Sequence, residues 1–276
     1  MKVAKTREVM RDLEKHIQEK QPFSLIRFGD GGIKYLHSVL YDDWRQLSII
    51  SKKEGIPLAK VLEIFELWGF YARHANYIDT PQVYFDEEFW PRLRRPPNKP
   101  MSKATVSRLK MWRELYNRAE FDNESYCNPE IHYLMILRIS KKRKNLIDIM
   151  KRRKVCFITD RAEVFLKFME HCSMDIFSIV GQYENQYVNS YYETIDFIKR
   201  GAKDYDFWLV AAGELGRIYS GLIKEEGGRS VDIGFVVDFW MDGKIPIRLQ
   251  PFVEPSPKSW MELRLSERGL PYRSFL

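Results

Sequence analysis

Five short stretches combine glycine with acids or arginine where a strand would end. They are Arg27 with Gly29-Asp30-Gly31-Gly32; Thr159-Asp160-Arg161; Gly181-Gln182-Tyr183-Glu184; Gly213-Glu214-Leu215-Gly216-Arg217; and Asp232 with Gly234, followed a turn later by Asp238. Carboxylates are hard oxygen ligands for Mg²⁺ or Mn²⁺. Arginines stabilise charge that gathers on a departing phosphate. Glycines let backbone N–H groups approach an anion at a strand-to-helix turn. Such a set suits a phosphate-bearing, metal-assisted ligand. Each stretch also has a plainer use. Asp160 followed by Glu163 has the spacing of a helix capping box, and Asp232 would serve equally well as a hydrogen-bonding strut in a strand turn. Gly213-x-x-Gly216 lacks the Lys-Ser/Thr of a P-loop and the full G-x-G-x-x-G of a dinucleotide site. The five histidines form no H-x-x-x-H pair and the three cysteines no C-x-x-C pair, so no histidine or zinc centre is indicated. Cys156, inside an apolar run, reads as a small core residue.

These stretches need a scaffold that gathers them, and the pattern between them supplies one. Residues 3–19 carry apolar positions at helical spacing (Val3, Val9, Leu13, Ile17), and Pro22 ends that segment. A short buried strand is expected at 23–28, then strands at 155–158, 175–180, 207–212 and 230–233. Helices at 162–171, 190–200 and 215–225 separate the later strands. Strands alternating with helices in this way mean β-α-β units, right-handed crossovers and a parallel sheet. The fold class is therefore α/β: a doubly wound, mainly parallel, Rossmann-like sheet, in a single domain over 1–276. From 51 to 126 the strand signal fades; helices at 57–68 and 102–119 suggest a helical insertion. In an open sheet of this kind ligands bind outside the carboxyl ends of the strands, where all five stretches fall.

Composition narrows the rest. The chain has 276 residues, 45% hydrophobic and 14% aromatic, which excludes a disordered chain. No apolar run approaches the ~18 residues a membrane span needs, so no integral membrane segment is expected. The unpaired cysteines fit a reducing, cytoplasmic setting. With 45 Lys+Arg against 38 Asp+Glu, the net charge of +7 is concentrated in 92–99 and 141–154. Such patches attract nucleic acid, anionic membrane or phosphorylated substrates, or are solvated helix faces.

Ile26-Arg27-Phe28-Gly29-Asp30-Gly31, with Ala211-Ala212-Gly213-Glu214-Leu215-Gly216 and Val231-Asp232-Ile233-Gly234, resembles the glycosyltransferases of the GT-D fold. These carry an Arg-Phe/Tyr-Gly-Asp-Gly-Glu motif after the first strand and an Asp-Ile-Gly segment near the C-terminus. Asp238 and Trp240 look similar to a further Asp and Trp found in one branch. The resemblance covers roughly 23–40 and 154–242. It implies transfer of a sugar from a nucleotide-diphosphate donor, a UDP-sugar foremost, to a glycan or glycoconjugate acceptor. A divalent metal, Mn²⁺ or Mg²⁺, would be held by an Asp-x-Glu pair. Asp30 falls on the first acid of that pair; Gly32 stands where the second should be. Donor binding would then fall to Arg27, Gly29, Asp30, Gly31, Arg161, Gly213, Glu214, Gly216 and Arg217. Asp238 would be the catalytic base, with Asp232 in reserve. Gly32 also leaves open a non-catalytic relative that binds a nucleotide sugar or glycan. A nucleic-acid-binding protein using 141–154 is the reading from a different class; no nucleic-acid-binding motif accompanies the charge.

Overall fold

The computed structural model describes residues 3–27, 38–39, 41, 43–79, 126–127, 131–136, 145–164, 172–180, 186–234 and 236–237. Strands among them are β1 (Val3–Ala4), β2 (Phe23–Ile26), β3 (Tyr77–Asp79), β4 (Tyr126–Cys127), β5 (Lys154–Thr159), β6 (Ser173–Ser178), β7 (Phe207–Ala211) and β8 (Arg229–Asp232). Helices are α1 (Thr6–Gln18), α2 (Trp44–Glu54), α3 (Leu58–His74), α4 (Ile131–Ile136), α5 (Leu146–Met150), α6 (Tyr192–Gly201) and α7 (Gly216–Glu225). The strands form one sheet in the order β1-β4-β3-β2-β8-β7-β5-β6, and every described pairing is parallel. Helices cover both faces, the arrangement that lets a parallel sheet bury its whole width. The α/β, doubly wound expectation holds.

Both-sided burial explains why the long strands read as apolar runs. All five residues of β7 are buried, as are Val155–Thr159 of β5. Alternate residues serve opposite faces. Ile26, Ile158, Trp208 and Val210 pack one core beneath α2, α3, α6 and α7. Leu25, Phe157, Phe207 and Leu209 pack the other with α1, α4 and α5. In α1, Val9, Met10, Leu13 and Ile17 form the buried stripe, and the Glu8 carboxylate accepts the Lys5 N–H at 2.8 Å to close the first turn. Packing between α3 and α7 is close enough to require glycine. A methyl group at Gly221 would collide with the Tyr71 ring.

Several sequence expectations need correction. Val3, read as the first apolar position of the opening helix, lies in β1, and α1 begins at Thr6. Of the helix expected at 162–171, Ala162–Val164 form a 3-10 turn and residues 165–171 lie outside the described residues. The segment read as a helical insertion does hold α3, but it also contributes β3 and β4 to the main sheet; residues 80–125, including the expected helix at 102–119, lie outside the described residues. Strands of two or three residues are too short to show a period. The strand expected at 175–180 runs Ser173–Ser178. The helix expected from 190 is entered through a five-residue π turn, Tyr187–Tyr191. Among the described residues no helix is long and apolar enough to cross a membrane.

Candidate functional site

Sheet order decides which strand ends meet. β2 and β8 lie side by side in the middle, β7 follows, then β5. The chain leaves β5 outward to β6 and leaves β7 inward to β8, so its direction reverses between them. Register pairs Thr159 with Ala211 there, bringing 160–161 beside the Gly213-Glu214 turn. Such a reversal opens a crevice at the carboxyl ends of the strands.

At this edge Arg27, Glu214, Arg217 and Asp232 form one cluster centred on Arg217, whose side chain is almost fully buried. Its Nε donates to the Arg27 carbonyl oxygen at 2.7 Å. Its Nη1 pairs with the Glu214 carboxylate, and the guanidinium lies over the Trp68 ring, 4.0 Å from its centroid. Trp68 Nε1 in turn donates to the Glu214 carbonyl at 2.9 Å. Arg217 therefore ties α3, the end of β2 and the β7–α7 turn into one unit. Its planar fork and flat face suit both tasks, which a lysine could not share.

Asp232 ends β8 at 2% exposure. Its Oδ1 accepts the Gly234 N–H at 3.0 Å, and the Arg27 N–H also donates to it. Burial pushes its carboxyl up to about 6, against the lowering pull of Arg217, Arg27 and those two N–H groups. The strut reading of Asp232 matches this geometry. Beside it, Gly234 has φ +48 and the Arg27 side chain lies directly against its Cα, where any Cβ would clash. Gly213, exposed at φ +53, makes the tight turn after β7. A Cβ on Gly216 would sit 3.3 Å from Val210 Cγ1 and 3.7 Å from Asp232 Oδ1.

Arg161, just past β5, is tied to its own segment. Its Nε pairs with the Glu163 carboxylate at 2.6 Å on the surface, and its backbone N–H donates to Thr159 Oγ1 at 3.0 Å. Gly29, Asp30, Gly31 and Gly32, the 181–184 stretch and Asp238 lie outside the described residues. Cys156 is buried in the core, its thiol pushed up chiefly by desolvation. Part of the second basic stretch serves α5. Asn145 and Asp148 cap that helix reciprocally, Lys151 pairs with Asp148 at 2.6 Å, and Arg153 donates to the Ile149 carbonyl. Trp68 is a site residue that no sequence motif marks; its partner Glu214 lies 146 positions away, beyond any local signal.

Among the described residues no group of three or more His, Cys, Asp or Glu side chains could hold a metal ion. Asp232 accepts two backbone N–H groups and lies within the field of two arginines.

Solved structures share this architecture. A selenomethionine-substituted structure of domain of unknown function 1792 matches with a TM-score of 0.54 at 16% identity, over 92% of this chain and 90% of its own. A second structure of that domain, described as having a distinct glycosyltransferase fold, matches with a TM-score of 0.51 at 16% identity over the same shares. At such identity the common property is the fold. No protein-family model matches the chain, and no curated protein does.

Proposed function

We propose that the protein is a glycosyltransferase that moves a sugar from a nucleotide-diphosphate donor, a UDP-sugar foremost, to a glycan or glycoconjugate acceptor. The observation that carries this reading is the arginine-rich cluster at the carboxyl edge of a sheet whose fold is that of domains described as having a glycosyltransferase fold.

Glycosyl transfer leaves positive charge at the anomeric carbon, as glycoside hydrolysis does, and negative charge on the departing diphosphate. In this reading Arg27 meets the diphosphate, since its guanidinium is packed over Gly234 and only half-buried. The backbone N–H groups of the Gly213-Glu214 turn, at the start of α7, add donors to the same anion. Arg217 does not reach the donor; it fixes Arg27 and Glu214 from behind. Asp232 likewise holds the turn after β8, which leaves Asp238 as the base for the acceptor hydroxyl. A divalent metal held at Asp30 would add positive charge for the departing diphosphate; the described residues supply no ligand set for it.

Titration calorimetry with UDP, with and without Mn²⁺, and a hydrolysis assay over several nucleotide sugars test the proposal. Asp30→Ala is expected to abolish metal-supported UDP binding and turnover while the melting curve stays unchanged. Full retention by Asp30→Ala would overturn Asp30 as ligand. Gly32 favours a second reading, a binder of nucleotide sugar without turnover. UDP binding with every donor inert, in both wild type and Gly32→Glu, would establish that one.

A further inference from the structure

We propose that the tyrosines at the entry to α6 form a binding platform for a neutral saccharide, the acceptor in the transfer reading above, on which this identification of the ligand rests. The π turn Tyr187–Tyr191 and Tyr192 place three aromatic rings within two helical turns. Tyr187 and Tyr191 are buried and stacked, centroids 4.8 Å apart at 23°. Tyr191 continues inward to Tyr219 of α7 at 6.1 Å. Tyr192 stands at 77° to Tyr191 and 64° to Tyr187, and its hydroxyl is 3.0 Å from that of Tyr187. Yet Tyr192 is 60% exposed, and Val188 beside it 64%.

A single exposed aromatic residue is ordinary. This one is held by a hydroxyl partner and two rings, so its conformational freedom is already spent, which is the condition for binding without a further ordering cost. A π turn is a costly way to enter a helix, and π turns collect at functional sites. Polar groups lie near the three tyrosines as well. Lys60 and Glu63 in the first turns of α3 form a half-exposed ion pair at 2.5 Å. Lys60 is close enough to Tyr192, and Glu63 to Tyr187 and Tyr191, for their charges to be felt. A sugar ring offers C–H groups on one face and hydroxyls around its rim. An aromatic ring accepts the first, and a carboxylate and an ammonium take the second.

The position fits an acceptor. Ser190, within the π turn, accepts the Val180 N–H at 3.1 Å, which ties the platform to the chain just beyond the carboxyl end of β6. Tyr187, Tyr191 and Trp68 belong to one core on one face of the sheet, so platform and arginine cluster share both face and edge.

The test applies the full-length protein, without nucleotide or metal, to a printed array of neutral oligosaccharides; each ligand found is titrated by saturation-transfer NMR. UDP binding is measured in parallel. Tyr192→Ala is expected to weaken saccharide binding about tenfold or more and leave UDP binding unchanged, whereas Tyr192→Phe, which keeps the ring, retains most of it. Glu63→Gln, on an exposed helix face, is expected to weaken the same saccharides and serves if Tyr192→Ala melts early. A wild type that binds no saccharide on the array overturns the platform. So does undiminished binding by Tyr192→Ala, or a loss of UDP binding equal to its loss of saccharide. Saccharide binding that depends on Tyr192 in a protein that ignores UDP would sustain the platform and remove the transferase reading.

Discussion

One face of the sheet is packed with Trp68, Tyr71, Trp208 and Tyr219; the other with Phe23, Phe157 and Phe207 among aliphatic side chains such as Leu13 and Leu209. The tryptophan and tyrosine face does two jobs at once. Besides filling volume, its rings carry polar atoms to places that aliphatic chains leave bare. Tyr71 Oη donates to Glu225 at 2.8 Å, Trp208 Nε1 to the Ala202 carbonyl at 3.0 Å, and Trp68 Nε1 to the Glu214 carbonyl. Among the described residues the other face, whose rings are phenylalanines, has few such groups. Its main polar feature is His132, 3.6 Å from Asp79 and buried with it. Functional candidates therefore gather on the face whose core can hydrogen-bond outward to the strand ends.

Trp68→Ala should separate the faces most strongly. It removes a buried indole, about 3–5 kcal/mol, and leaves the Glu214 carbonyl only the longer donation from Arg217 Nη1 at 3.4 Å, roughly 1 kcal/mol more. Leu13→Ala on the other face should cost about 2–5 kcal/mol. Urea titration gives both values. Measured where both variants are folded, UDP affinity should fall in Trp68→Ala alone; an equal fall in Leu13→Ala would erase the functional distinction between the faces.

Asp232 should give the next largest effect, visible as pH dependence. Its carboxyl binds a proton more tightly in the folded chain than its ordinary value of 3.8 allows. Between 3.8 and about 6 the folded state holds more proton, so stability falls as pH rises through that window. The full change is about 3 kcal/mol, and it should be missing from the pH–stability curve of Asp232→Asn. Identical slopes for the two proteins would mean that Asp232 is ionised throughout.

Arg217→Lys should cost about 1.5–3 kcal/mol, since an ammonium can keep Glu214 but not also the Arg27 carbonyl. Hydrogen exchange should quicken at Arg27 while β5 is unaffected. Gly216→Ala should matter least. The helical gain of about 0.5–1 kcal/mol is set against a methyl contact of 3.3 Å with Val210, and calorimetry should find a net change within roughly 1 kcal/mol.

The same contrast explains what could be read from residue order alone. β5 and β7 were legible because burial on both faces demands an unbroken apolar run, Val155–Ile158 and Phe207–Ala211. β3 and β4 were not. Three and two residues carry no period, and their place in the sheet depends on pairing with β2 and with each other. Within the cluster, Arg27, Glu214, Arg217 and Asp232 were each visible as a strand-end residue. That Arg217 faces inward was not, because Trp68, the surface it lies on, comes from a helix in a segment with no motif. Arg161 looked equivalent to Arg217 in sequence, yet a glutamate two positions on holds it at the surface.

The pairing of β2 with β8 has a consequence in time. Phe23 finds its partner Arg229 about two hundred residues later. At roughly 5–20 residues per second, a ribosome needs about 10–40 seconds between the two. Through that interval β2 emerges with one flank unpaired, and the nascent chain must be kept from joining edges with its neighbours. A chain arrested before Arg229 would hold this aggregation-prone edge permanently. Such fragments should bind chaperones in proportion to how long synthesis pauses short of that point.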